Sequence, residues 1–346
     1  MPTMTVHDRN RELIRRWRGA LYDLDPQALP GQLKALVATD APIQLAHPLG
    51  TLRGPEALYE QAYAPLLRAI PDLERRDYIV MAGPHQRENW IGCGGYYTGV
   101  FEHPWLDIPA TRHIVTLRYC EFFQIEGEQI VAMHGLWDIP EVMIQARAWP
   151  MSPSLGREML APGPASQDGI ITGPYDAVRA AASLQLVDNM LVNLGDYARG
   201  RIDDLDPGPY WHPKMNWYGP AGIGSNRRIS GFRRWHQSPF RRGLHDIATD
   251  RGKPYTQCYF ADGDYVAYCG FNAMHMNAAG DGWLGIAPPG KPIRMTSLDF
   301  WRCENGRIRE NWVLVDLLSV YEQLGVDVLR RMREYTVDRQ TSPPQL

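Results

Sequence analysis

The sequence is poor in cysteine, has no long apolar run and carries no surplus of either charge. Its five cysteines, Cys93, Cys120, Cys258, Cys269 and Cys303, are odd in number and dispersed without CxxC spacing. That excludes a disulfide framework and a thiolate metal site, and it points to a reducing compartment. No run of eighteen apolar residues occurs, and Met1 to Trp17 has no apolar core of the kind a leader needs. A cytoplasmic chain with no membrane partner is the expectation. With 36 basic and 39 acidic residues the formal charge is −3, which argues against a nucleic-acid surface. The HxH, HExxH and paired His/Asp spacings of metal sites are missing, so no metal is expected. The stretch Gly219-Pro220-Ala221-Gly222-Ile223-Gly224 is glycine-rich, but it holds a proline and opens no clear helix. It reads as a loop and not as a phosphate cradle.

Aromatic side chains are plentiful: 11 Trp and 17 Tyr, which suit cavity walls and large cores alike. The most informative stretch is Lys291 to Gly325. It reads as a strand, a tight turn at Asn305-Gly306, a second strand and the start of a helix. Pairing Glu304 with Arg307 and counting outward sets Asp299 opposite Trp312 and Met295 opposite Asp316. Period-two alternation then puts Glu310, Trp312, Leu314 and Asp316 on one face with Asp299 and Trp301. A carboxylate beside aromatic surface loses hydration, its pKa rises, and it becomes a candidate general base.

The same stretch occurs earlier, over Arg112 to Gln145. A shift of 178 residues puts Glu121-Phe122 on Asp299-Phe300, His134 on Trp312 and Asp138 on Asp316. Upstream, a shift of 174 puts Arg53, Pro65, Arg68 and Asp72 on Arg227, Pro239, Arg242 and Asp246. This is a duplicated domain, since the period far exceeds that of stacked repeats. The expected division is 1–148, a Pro/Gly-rich linker over 149–178, a second domain over 179–330 and a tail over 331–346. Each half reads as helices first and then a meander of long antiparallel strands, an α+β plan in which a curved sheet wraps over helices. Helices are expected over 10–24 and 184–200, and a strand from Tyr255 to Phe260. The pairs Arg227-Arg228, Arg233-Arg234 and Arg241-Arg242 fall on one predicted helix and its flanks. They read as a solvated face paired with nearby acids, with an anionic partner as the alternative.

Several short motifs, Gly285-Ile286-Ala287-Pro288-Pro289-Gly290-Lys291-Pro292-Ile293, Asp299-Phe300-Trp301, Asn305-Gly306-Arg307-Ile308, Trp312, Asp316 and Gln323-Leu324-Gly325, stand in one order. The chain here resembles the SnoaL-like polyketide cyclases, of the superfamily named after nuclear transport factor two. The first half is similar over Arg53-Gly54-Pro55, Pro71-Asp72-Leu73, Trp105 to Pro109, Glu121-Phe122 and Asp138. The resemblance implies two tandem conical α+β barrels, each with a ligand cavity in its mouth, and dimerisation through the sheet. It also implies cofactor-independent carbon-acid chemistry on a small carbonyl or polyketide-like substrate, with an aspartate as base. By position that aspartate is Asp316, and Asp138 in the first unit.

Asp316 is thus the first candidate base, with capping of the helix near Leu317 as the alternative use. Asp138 and His134 are the candidates in the first unit, where the expected pairing puts Glu121 opposite His134, ready to set its tautomer. A structural Glu–His pair is the alternative. Trp312, Trp301, Asp299, Trp137 and Trp217 are candidate pocket walls, and His47 and His212, each followed by proline, are candidate rim residues. Two functions remain open: a cyclase- or isomerase-like enzyme, and a small-molecule binding protein in which duplication makes a covalent pseudo-dimer.

Overall fold

A computed structural model of the chain describes residues 5–199, 208–249 and 256–337. The expected frayed tail beyond 337 and Tyr255 lie outside the described residues. The first unit runs α1 (Val6–Tyr22), α2 (Leu29–Leu36), β1 (Pro42–Leu45), β2 (Thr51–Arg53), a composite helix α3 over 54–69, β3 (Glu74–His85), β4 (Glu88–Val100), β5 (Ile114–Glu126), β6 (Gln129–Trp137) and α4 (Ile139–Gln145). The second repeats the plan: α5 (Ala177–Arg199), β7 (Trp211–Tyr218), β8 (Asn226–Arg227), composite helix α6 over 228–243, β9 (Leu244–Thr249), β10 (Thr256–Asp262), β11 (Tyr265–Ala278), β12 (Lys291–Glu304), β13 (Arg307–Val315), α7 (Leu317–Gln323) and α8 (Val328–Tyr335).

Helix α1 starts earlier than its apolar pattern because Thr5 and Asp8 form a reciprocal capping box. Its Leu13, Ile14, Trp17 and Leu21 are buried at helical spacing, Arg9, Arg15 and Arg16 are exposed, and Arg11 and Arg18 reach the buried carboxylates of Asp262 and Asp77. Both composite helices contain a π-helical turn at matching places, Tyr59–Tyr63 and Arg233–Gln237, one shift of 174 apart.

The first sheet has the order β2-β1-β6-β5-β4-β3, and the second β10-β11-β12-β13-β7-β8 with β9 paired to β11. The duplication is visible residue by residue. Ile43 pairs with Met133 in parallel β1 and β6, and their counterparts Trp217 and Asn311 pair in parallel β7 and β13. Helices pack into the concave side of each sheet, forming two α+β cones.

The outer faces of the two sheets pack on each other through a second apolar cluster that includes Ile79, Met81, Phe122, Leu136, Phe260, Leu298, Phe300 and Trp312. Phe122 and Phe300, equivalent residues of the two units, stack with centroids 5.1 Å apart at 8°. Gly92 makes room for that pair, since a Cβ there would lie 2.8 Å from the Phe300 ring. The Pro/Gly-rich segment after α4 contains no helix or long strand, yet it is tied down at this junction. Val80 N–H donates to Gly169 O, Ile171 N–H donates to Val80 O, and the Trp312 indole donates to Pro162 O at 2.8 Å.

Candidate functional site

The turn at Asn305-Gly306 forms as expected, with φ of 51° and 70° and Glu304 opposite Arg307. The register beyond it does not hold. A bulge leaves Arg309 unpaired between Ile308, opposite Cys303, and Glu310, opposite Arg302. Trp312 therefore faces Phe300 and Asp299 faces Val313. The same bulge recurs at Val131 in the first unit, where His134 faces Phe122 and Glu121 faces Gly135. One extra residue moves a strand's whole side-chain set to the other face. The expected pairs Asp299–Trp312 and Glu121–His134 are thus corrected: in each pair the two residues lie on opposite faces of their sheet.

The bulge sorts the candidates. Trp312, His134, Asp138 and Asp316 belong to the junction between the units; Glu121, Trp137, Asp299 and Trp301 point into the cones. His134 bonds Gln44 Oε1 at 2.7 Å and lies against Trp90 and Phe271; burial lowers its pKa to about 4, so it is neutral.

Asp138 and Asp316 form a reciprocal clamp. Asp316 accepts the backbone N–H of His47, from the first unit, at 2.9 Å. Asp138 accepts that of Ala221, from the second, at 2.9 Å. His47 and Ala221 are themselves equivalent under the 174-residue shift. Asp316 also caps α7 through Ser319 N–H at 3.1 Å. Asp138 meets Arg118, whose guanidinium donates to the carbonyls of Tyr218, Gly219 and Val313 across the junction. Burial raises the pKa of both aspartates, against the backbone donors and, for Asp138, against Arg118.

The interior of the first cone is filled by its own polar network. Arg75 donates to Glu121 at 2.6 Å and to Asp77 at 2.9 Å. Glu121 also accepts from the Trp137 indole at 2.9 Å and from Tyr97 at 3.1 Å, and Tyr97 is bonded to Tyr63. Arg75 lies 4.2 Å from the Tyr119 ring centroid. All of these side chains are buried. Burial opposes ionisation of Asp77, but Arg75 and Arg18 outweigh it and hold that carboxyl below its usual range.

The second cone keeps the carboxyl and loses the network. Asp299 stands where Glu121 stands, and the registers give every neighbour a counterpart. Tyr119, Trp137, Tyr97 and Arg75 correspond to Ser297, Val315, Met274 and Thr249. On the other side Cys93 and Gly135 become Tyr268 and Val313. Bulk is removed on one side of the carboxyl and added on the other. Accessibility follows: Trp137, Tyr97 and Arg75 are buried, whereas Val315 and Met274 are partly open and Thr249 is exposed.

Among the described residues no cation makes an ion pair with Asp299. Burial pushes its pKa up to about 7, opposed only by hydrogen bonds from Ser297 and Asn311; Ser297 Oγ lies 2.5 Å away. Gln237 replaces Tyr63 and is buried, with its Oε1 unpartnered. Trp217 lines the same unit, stacked on His236 at 4.1 Å, and burial keeps that imidazole neutral, with a pKa of about 3. Trp301 is buried in the cone core. His212, whose Nδ1 accepts from Lys214 N–H, lies outside it.

The twice-built cone, whose second copy holds an acid with no ion-pair partner among the described residues, meets an independent match. Residues 197–324 fit the family model of the SnoaL-like polyketide cyclases. Over these residues the second unit is SnoaL-like. No curated protein matches the chain. Among solved structures, a candidate SnoaL-like polyketide cyclase of Jannaschia sp. CCS1 is similar at 17% identity and TM-score 0.36, over 41% of this chain and 94% of that one. IdmH of Streptomyces antibioticus, a candidate polyketide cyclase, is similar at 16% identity and TM-score 0.34, over 40% and 98%. An NTF2-like protein of Burkholderia thailandensis is similar at 14% identity and TM-score 0.31, over 40% and 95%.

Arg75, Asp77, Gln237 and His236 were absent from the sequence-based candidates. The 174-residue shift, continued through α3, would have placed Tyr63 on Gln237 and Arg75 on Thr249.

Proposed function

We propose that the SnoaL-like second unit carries out general-base chemistry on a small, polyketide-like carbonyl compound, with Asp299 as the base. The observation that carries this reading is the contrast at one position. Glu121 is neutralised by Arg75 in a filled cone, whereas Asp299 is buried with no cation partner among the described residues, and that burial pushes its pKa up to about 7. A base poised near the working pH exchanges protons in both directions. In its ionised form Asp299 removes a proton from the carbon next to a carbonyl, leaving an enolate. The enolate carbon attacks a second carbonyl of the same molecule, a C–C bond forms, and the new alkoxide recovers the proton from Asp299. An aldol-type ring closure of this kind consumes no cofactor. The enolate oxygen needs a donor, and neither the indole of Trp312 nor the ring of His134 supplies it, since both are engaged at the junction.

In this reading the first unit is the covalent counterpart of a dimer subunit, and Asp138 and Asp316 hold the two units together. The test is proton exchange at the α-carbon of a simple cyclic ketone such as 2-tetralone in D2O, followed by NMR. The rate rises through about pH 7, falls to background in Asp299→Asn and survives in Asp316→Asn. Equal rates in wild type and Asp299→Asn would refute the assignment. Binding of such ketones without exchange would favour a binding protein instead.

A further inference from the structure

Helix α6 has two faces of different kinds. Its inner side buries Phe232 and Gln237 in the second unit. Its outer side, with the residue before it, exposes Arg227, Arg228, Arg234, Trp235 and Arg242. Residues 227–242 hold six arginines and no aspartate or glutamate. On a chain of formal charge −3, this leaves the remaining residues at −9. The matching stretch of the first unit, 53–68, has two arginines and two glutamates. The basic face is therefore a property of the second unit alone.

For Arg227, Arg228, Arg234 and Arg242 the expected pairing with nearby acids is not seen among the described residues. Among the described residues, Arg228, Arg234 and Arg242 make no ion pair, and Arg227 donates only to the neutral amide of Asn216, at 2.9 Å. The Arg234 guanidinium lies over the exposed Trp235 ring, 5.0 Å from its centroid. Exposed Arg and Trp together are the residue types that dominate binding energy at protein interfaces.

From this face we infer that α6 is a docking surface for an acidic protein. Arg228 to Arg242 spans about 21 Å of helix at 1.5 Å per residue. That is too long for one small anion and matches the side of a helix bearing several carboxylates. Charge complementarity favours a compact partner. A long polyanion would run past the patch onto a surface of net negative charge, where like charges repel. Because the same helix lines the second cone on its inner side, such a partner would sit within one helix width of Gln237.

The test uses the full-length protein and a fluorescein-labelled oligoglutamate, followed by anisotropy at low salt. The peptide binds wild type, and binding weakens as salt is added. The triple variant Arg228→Glu/Arg234→Glu/Arg242→Glu loses at least about tenfold in affinity, the glutamine triple variant loses less, and Arg53→Glu/Arg68→Glu in the first unit leaves it unchanged. All of these side chains are surface-lying, and a melting curve verifies that each variant is folded. Unchanged affinity in the triple variant, or equal loss in the first-unit variant, would overturn the proposal. So would tighter binding of a single-stranded oligonucleotide of equal charge, or of phosphatidylglycerol vesicles, through the same arginines. None of these outcomes depends on Asp299.

Discussion

Replacing Asp299 by asparagine isolates the cost of keeping an acid inside the second cone. The rise of its pKa from 3.8 to about 7 corresponds, at about 1.36 kcal/mol per pH unit, to roughly 4 kcal/mol at most. The sign follows from proton linkage. Below 3.8 the carboxyl is neutral in both the folded and the unfolded chain, and no penalty exists. As pH rises toward about 7 the unfolded chain ionises while the folded one stays protonated, so stability falls; above about 7 the loss is complete. Asparagine has the same shape, stays neutral and can accept the Ser297 hydroxyl. The Asp299→Asn variant is therefore expected to match wild type near pH 4 and to exceed it by about 2–4 kcal/mol near pH 8, while losing proton-exchange activity. At about 2–4 °C per kcal/mol for a domain of this size, the melting temperature rises by several degrees. Urea denaturation and thermal melts across this pH range read the difference. A gain independent of pH, or a destabilised variant at pH 8, would refute the reasoning.

Three further outcomes follow from the buried charges. Arg75→Met should destabilise by about 3–5 kcal/mol because it strands Glu121 and Asp77, whereas the combination Arg75→Met/Asp77→Asn/Glu121→Gln should recover most of that loss in urea titrations. Asp138→Ala leaves the buried Arg118 guanidinium on three carbonyls with no carboxylate hydrogen-bonded to it. A loss of about 3–5 kcal/mol is expected, with separate unfolding steps for the two units in calorimetry. His134→Phe removes one hydrogen bond from a neutral ring between aromatics, so its cost should stay within about 1–2 kcal/mol. Ketone exchange should be unchanged in that variant; a loss of exchange would move the chemistry to the first unit.

The repeat, the order of elements, the Asn305-Gly306 turn and the list of acids were all legible in the sequence, because each rests on local chemistry. A turn needs residues that accept positive φ, a helix needs apolar side chains at its own period, and a duplication keeps both in order. Even the difference between the two interiors was latent in the one-letter string, as Tyr119, Tyr97 and Arg75 against Ser297, Met274 and Thr249. Which side of the sheet each residue faces was decided only by the tertiary structure. Arg309 and Val131 bulge out of their hairpins, and nothing in their side chains announces it; one added residue then exchanged the inner and outer sets. Asp138 and Asp316 fell at the junction, and Glu121 and Asp299 fell inside. The charge state of Asp299 was likewise undetermined until its surroundings were assembled. A carboxyl's pKa depends on what lies within a few ångströms of it, and those neighbours come from strands up to tens of residues away along the chain.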